Sequence, residues 1–190
     1  MGDCVKERGI LFSDEMVRAI LDGRKTQTRR PVKPQPLGIG TMNAAGQYCQ
    51  PDREGVMPGG WRIESPFGSP GDLLWVREAF CGGQHGTPYL YRASWQQNDF
   101  MRWRPSIHMP RWASRITLEV KAVRVERVQE ISSRDAWAEG FRCSCTRPVP
   151  ICAGNIVAFR ETLNSIYAPN GLGWDKNPWV WVVEFERVAR

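Results

Sequence analysis

The hydrophobic and polar positions near the start of the chain repeat with the period of an α-helix. Residues 13–22 carry one apolar stripe, formed by Met16, Val17, Ile20 and Leu21. Ser13 can cap this helix, and Gly23 is a natural stop. The pattern predicts an amphipathic helix that leads directly into the polar, β-compatible segment 24–30.

Alternation with a period of two predicts strands later in the chain. Residues 73–78 and 89–92 are short strand-like runs that follow turn sequences. The longest predicted strand runs from Arg115 to Val128, and its alternation changes phase without a break, which predicts a β-bulge. The closing run 179–185 is apolar on both sides, as is typical of a central strand.

Two further helices and a long irregular segment complete the pattern. A Ser-x-x-Asp capping box predicts a helix over residues 132–139, and Asn155 is the predicted cap of a helix over 156–167. Residues 31–70 are rich in proline and glycine, which predicts an irregular insertion loop. We expect an α+β fold with a single domain over residues 1–190, the insertion lying within it.

The composition supports a folded chain that is not a membrane protein. The chain has 190 residues, of which 42% are hydrophobic and nine are tryptophan, so it can build a core. No apolar run approaches the roughly 18 residues that a membrane span needs. The first residues lack the basic-then-apolar layout of a secretory signal, which favours a cytoplasmic protein.

The positive charge is carried mainly by arginine. The formal net charge is +6, with 21 arginines and 5 lysines. Arginine binds phosphate bidentately and stacks on bases, and here it lies beside aromatic residues, as in Arg102-Trp103-Arg104 and Arg111-Trp112. This mixture indicates a surface for single-stranded nucleic acid, although solvated surface charges would give the same composition.

Six cysteines raise the question of a metal. Cys143, Cys145 and Cys152 could supply zinc ligands, but the spacing is not a C-x2-C knuckle and no second tight pair exists. Cys49, Cys81, His85 and His108 are the residues that could complete such a site. We predict reduced thiols, no metal and no cofactor, and the zinc alternative stays open.

The densest polar cluster is GRKTQTRR at residues 23–30. A glycine, a lysine, two hydroxyls and three arginines after a helix end could line an anionic or nucleobase site. The alternative is a basic strand that faces solvent. The segment is not a P-loop, because no Gly-x4-Gly-Lys-Ser/Thr precedes a helix.

This cluster resembles the G-x-K-x-x-T-x-R signature of ASCH domains. Three later motifs continue the resemblance in the family's order: PGDLLWVRE at 70–78, DAWAEG at 135–140 and NPWVWVVEFERV at 177–188. The stretch at 103–115 is similar to longer ASCH proteins encoded by phages and prophages. The resemblance implies a small PUA-like β-barrel, flanked by short helices, whose cleft takes RNA or a modified nucleobase or nucleoside.

Some small ASCH members are amidohydrolases that deacetylate N4-acetylcytidine with a Lys, a Thr and a Glu. Lys25, Thr28 and Glu139 match those positions. The resemblance implies Thr28 as the nucleophile and Lys25 as the general base. Glu139 would transfer a proton to the leaving amine or bind the cytosine ring. Residues three apart in a strand face opposite sides, so a shared site requires a turn or bulge between Gly23 and Thr26.

Further residues are candidates for contacts with the substrate or nucleic acid. His108 is also explained by a structural role, and the tryptophans are also explained as core residues. The candidates are Arg24, Thr26, Arg29, Arg30, Trp75, Arg77, Glu78, His108 and Arg111.

The sequence leaves enzyme and binding module open as function classes. An enzyme would hydrolyse an N4-acylated cytidine or a related base, and a module would bind RNA or single-stranded nucleic acid without turnover. A phage accessory protein that acts through protein contacts is a third alternative.

Overall fold

The computed structural model describes residues 5–36, 64–83, 87–95, 101–145 and 149–188. Most of the predicted insertion at 31–70 lies outside these residues, as do Cys4, Cys49 and His85. Short 3-10 turns separate several of the regular elements. In chain order the elements are β1 (Glu7–Leu11), α1 (Asp14–Leu21), β2 (Gln27–Pro31), β3 (Leu73–Arg77), β4 (Phe80–Gly82), β5 (Tyr89–Tyr91), β6 (Thr117–Arg127), α2 (Ser133–Ala138), α3 (Gly154–Tyr167) and β7 (Trp179–Val188).

Five strands form one mixed sheet in the order β1-β3-β6-β7-β2, and β4 and β5 form a separate hairpin. Strands β1 and β3 are parallel, whereas the other neighbours in the large sheet are antiparallel. The side chain of Arg30 on β2 donates a hydrogen bond to the carbonyl of Leu11 on β1, with an Nη2–O distance of 2.7 Å. The α+β prediction is confirmed, and the sheet curls far enough for a side chain to bridge its two edges.

Strand β7 is apolar on both sides because both faces of the sheet are covered. Trp181 and Val183 belong to the core cluster that includes Val17 and Ile20 of α1. The intervening Val182 packs in a second cluster, with residues of α2 and α3. The prediction of a central strand is confirmed, since β7 pairs with β6 on one side and with β2 on the other.

The phase change in β6 marks a β-bulge, as predicted. Pairing of β6 with β7 shifts register between Val120 and Ala122. An extra residue in one strand turns the following side chains to the other face, which explains why the alternation restarts one position later.

The helices follow their sequence signals at most ends. In α2, Ser132 accepts a hydrogen bond from the backbone of Asp135 and completes the predicted capping box. Helix α3 instead begins at Gly154, so the prediction of Asn155 as its cap is wrong. The Asn155 side chain binds the preceding loop, where its oxygen accepts from the backbone N–H of Cys143. None of the helices in the described ranges is long and apolar enough to cross a membrane.

Candidate functional site

A tight turn after α1 places Lys25 beside Glu139. Gly23 adopts a φ of 70°, a left-handed conformation that favours glycine. The backbone N–H of Lys25 then donates to the carbonyl of Ala19 at 2.9 Å, and the N–H of Thr26 donates to the carbonyl of Ala138 at 2.8 Å. This last bond joins two segments that are more than a hundred residues apart in sequence, and it brings Lys25 and Glu139 together.

The Lys25 amine is buried and held by backbone carbonyls. The residue is 4% exposed, and its Nζ donates to the carbonyls of Gln27 and Glu139, each at 2.9 Å. Burial lowers the pKa of Lys25 to about 8, against the charge of Glu139, which raises it. A neutral amine has two N–H groups, one for each of these two carbonyls. Its lone pair then remains available to take a proton.

Thr28 and Lys25 line the same cavity despite their three-residue spacing. Lys25 precedes β2, which begins at Gln27, so strand alternation does not separate the two side chains. The turn that the resemblance requires is therefore formed at Gly23. Thr28 is buried and pairs with Val183 of β7, which fixes its backbone within the sheet.

Arg29 is buried behind Glu139 and lies among three carboxylates. Its Nη1 donates to Glu139 Oε1 at 2.9 Å, and its Nη2 donates to Glu126 Oε2 at 3.1 Å. The same Nη2 lies 3.5 Å from Asp135 Oδ2. The Arg29 side chain is fully buried, and its contact with nucleic acid stays a prediction. It orients Glu139, whose other oxygen lies 3.8 Å from the Lys25 amine.

The cavity has a volume of about 300 Å³ and an apolar wall. Helix α3 and the end of β1 supply most of this wall, and a 3-10 turn at 106–108 contributes at the rim. Arg30 lies over the Phe12 ring, with its guanidinium carbon 5.2 Å from the ring centroid. The apolar lining residues include Phe12, Met16, Ile107, Phe141, Phe159, Leu163, Ile166 and Tyr167.

Of the predicted site residues, Lys25, Thr28, Arg29, Arg30 and Glu139 come together at this cavity. The burial of this segment excludes the alternative of a basic strand that faces solvent. The residues that sequence reasoning missed are the apolar wall and Glu126, whose partner is buried Arg29. The apolar stripe of α1 gave a signal for Met16, and the predicted helix over 156–167 gave one for the part of the wall that α3 supplies.

Seven other predicted contact residues lie outside the cavity lining. Arg24 pairs with Asp22, at 2.7 Å between Nη2 and Oδ2, whereas Thr26 is exposed and contributes its backbone to the turn. His108 is exposed on the 3-10 turn at the rim. These three residues remain unassigned to the site.

The remaining four are occupied by interactions elsewhere. Arg77 lies over the ring of Trp75, with 5.3 Å between its guanidinium carbon and the ring centroid, and donates to the carbonyl of Ile107. Arg111 donates to both carboxylate oxygens of Glu7 at 2.7 and 3.0 Å. Glu78 is buried and accepts two hydrogen bonds from Arg115, each at 2.9 Å, and its contact with a ligand stays a prediction. Burial raises the pKa of Glu78 against the Arg115 charge.

The cysteines differ from the prediction of reduced thiols. Cys143 and Cys145 form a disulfide, whereas Cys152 and the buried Cys81 are free. Among the residues that the structure describes, Cys143, Cys145 and Cys152 form the one group of three or more potential metal ligands with mutually close donor atoms. This cluster is separate from the cavity lining.

Comparisons with known proteins give a fold likeness. No family model matches the chain, and no curated protein matches it. The chain is similar to the protein EF3133 of Enterococcus faecalis V583, a DUF984 protein, with 11% identity, a TM-score of 0.49, and coverage of 98% of this chain and 82% of the other. It is also similar to an ASCH domain from Lactobacillus crispatus JV V101, with 12% identity, a TM-score of 0.45, and coverage of 96% and 79%. Both likenesses concern the fold alone.

Proposed function

We propose that the cavity binds a modified cytosine nucleoside and that Lys25, Thr28 and Glu139 hydrolyse its exocyclic amide. The observation that carries the proposal is a buried lysine with a pKa of about 8 that lines the same small cavity as a threonine and a glutamate. An amine with a pKa near 8 is partly neutral at physiological pH, which is the requirement for a general base.

The roles follow from the chemistry of an amide. Thr28 Oγ1 attacks the carbonyl carbon while its proton passes to the Lys25 amine. When the C–N bond breaks, the cytosine amine leaves with a proton delivered through Lys25 or Glu139, and the acyl group remains on Thr28 as an ester. Water then hydrolyses this ester, releases the acid and regenerates the hydroxyl.

The size and lining of the cavity support a small planar ligand. Pockets for small molecules range from about 300 to 1,000 Å³, and this cavity lies at the lower limit. Phe12, Phe141 and Tyr167 contribute aromatic surface that can pack on a base. A single nucleoside suits this space better than a duplex does.

The test is turnover of N4-acetylcytidine and a panel of other acylated cytosine nucleosides. We expect wild type to release cytidine, and we expect Thr28→Ala to lower kcat by about 10³-fold or more because it lacks the nucleophile. Thr162→Ala is the matched control, since Thr162 lines the same cavity from α3. Full activity of Thr28→Ala would remove Thr28 from the mechanism.

A non-catalytic nucleic-acid module is the second candidate, favoured by one exposed aromatic residue. Trp112 is 71% exposed and lies against Tyr89, with ring centroids 5.3 Å apart, in a chain of net charge +6. A supported ring of this kind can stack on an unpaired base, which is worth about 1–3 kcal/mol. The phage or prophage setting that the motifs imply, and the cytoplasmic location that the composition favours, belong equally to this proposal.

This candidate predicts salt-dependent binding of a single-stranded RNA or DNA oligonucleotide. Affinity should fall as salt rises, because neutralised phosphates release counterions. Trp112→Ala should weaken binding by about 1–3 kcal/mol, whereas Ile151→Ala, at another exposed apolar residue, should not. Equal affinity at low and high salt would exclude contacts with the phosphate backbone of the nucleic acid.

A further inference from the structure

A compact cysteine cluster lies in the loop between α2 and α3. Cys143, Cys145 and Cys152 place their sulfurs within 4.8 Å of one another. The Sγ atoms of Cys145 and Cys152 are 3.9 Å apart, although seven residues separate them in sequence. Neither the proposed hydrolysis nor the sheet accounts for three sulfurs at one point.

Two residues at the start of α3 shape this loop. Asn155 is fully buried: its side-chain oxygen accepts from the N–H of Cys143, and its nitrogen donates to the carbonyl of Val149, both at 2.9 Å. These bonds hold the two sides of the loop together. Gly154 allows close approach, because a Cβ there would lie 2.5 Å from the Cβ of Cys143 and 3.5 Å from Cys152 Sγ.

The spacing suits a tetrahedral thiolate site. Zinc binds cysteine sulfur at about 2.3 Å in tetrahedral geometry, which separates neighbouring sulfurs by about 3.8 Å. The Cys145–Cys152 separation of 3.9 Å meets this requirement, whereas the bonded sulfurs of Cys143 and Cys145 reach it only after reduction. Thiolates favour zinc over hard cations such as magnesium, which take oxygen ligands.

We propose that the reduced form of this loop is a zinc site with Cys143, Cys145 and Cys152 as ligands. In the described residues no fourth cysteine, histidine or carboxylate joins the group. The Cys143–Cys145 disulfide is the metal-free, oxidised form of the same loop. The site is independent of the hydrolase proposal.

The location gives the ion a structural consequence. The loop follows Glu139 and Phe141 directly and leads into α3, which supplies Phe159 and Leu163 to the cavity wall. An ion that joins the two sides of the loop would fix the start of α3 against the end of α2. The wall of the cavity would then be held in place by residues that do not contact its ligand.

The test uses the whole chain, freed of metal with a chelator and kept reduced with a phosphine. We expect cobalt(II), a spectroscopic stand-in for zinc, to bind once per chain with a sulfur-to-metal charge-transfer band that zinc removes. Cys145→Ser and Cys152→Ser should lose the band, whereas Ser144→Ala, in the same loop, should keep it. Asn155→Ala should weaken zinc binding about 10–100-fold, as substitutions behind metal ligands do.

Alkylation of the wild-type protein gives a second readout that needs no variant. Zinc should protect all three cysteines from iodoacetamide in peptide mass mapping, and magnesium should not. Circular dichroism identifies any variant that fails to fold. For such a variant, zinc protection of the wild-type cysteines from iodoacetamide is the test of the site. Reduced wild type that shows neither the cobalt band nor zinc protection would overturn the site, and the hydrolase proposal does not depend on that result.

Discussion

Two basic segments of this chain have similar residues and opposite surroundings. Segment 24–30 is mostly buried. Its Arg29 donates to Glu139, which lines the cavity, and to Glu126, and it lies close to a third carboxylate. Segment 102–112 is mostly exposed, and its Arg111 pairs with Glu7 at the surface. A buried charge shifts the pKa of neighbouring groups and orients them. An exposed charge is instead available to bind partners from solution.

The largest difference between the two segments should be the loss of stability when Arg29 or Arg111 is replaced. Arg29→Met leaves Glu126, Asp135 and Glu139 without their shared cation, so we expect a loss of about 3–5 kcal/mol in the free energy of unfolding. Arg111→Met removes a surface pair and should cost at most about 1 kcal/mol. Chemical denaturation measures both, and equal losses would show that burial is not what distinguishes the segments.

The pH dependence of the buried amine is the next test. In the unfolded chain the pKa of Lys25 returns to its ordinary value of 10.5, above its folded value of about 8. Between these values Lys25 binds more protons in the unfolded chain, so its contribution to stability should rise with pH, by at most about 1.4 kcal/mol per unit. Lys25→Met should abolish this rise, and Lys121→Met, at an exposed lysine, should retain it.

Turnover should follow the same titration, because the base must be neutral. We expect kcat with N4-acetylcytidine to increase as pH rises through about 8 and then to level off. A rate that declines over this range would mean that the protonated amine is the active form. Lys25 would then act as an electrophile and not as the base.

The smallest expected effect concerns the turn that joins Lys25 to the site. Gly23→Ala forces a side chain into a φ of 70° with open space around it, which should cost about 1–2 kcal/mol. Gly171→Ala is the matched control, since Gly171 has a φ of 71° and equal space. Both should lose similar stability by thermal melting, but only Gly23→Ala should also lower kcat, because it shifts Lys25.

Local signals in the sequence predicted the elements that depend on neighbours in the chain. The capping box of Ser132 and Asp135, the stop at Gly23 and the phase change in β6 each operate within a few residues. The start of α3 could not be predicted in this way. Asparagine is a common residue type at helix caps. The Asn155 side chain instead forms hydrogen bonds with loop backbone groups that only the folded chain brings near it.

The candidate site divides along the same line. The motif residues Lys25, Thr28 and Glu139 were available from the sequence, because the resemblance rests on residue types at fixed spacings. The role of Arg29 was not, because a basic residue in a polar run gives no sign of burial. Its carboxylate partner Glu126 lies on a different strand, almost a hundred residues away.

By itself, the sequence determined the residue types, the periodicities and hence the α+β class, since these depend on local sterics and on which positions are apolar. Tertiary structure alone decided which charges are desolvated. The bond from Thr26 to Ala138 brings Lys25 against Glu139, and its amine lies 5.5 Å from the centre of the Phe12 ring. The burial of this amine lowers its pKa. Desolvation depends on the atoms that surround a group from distant segments, and no pattern within one segment records it.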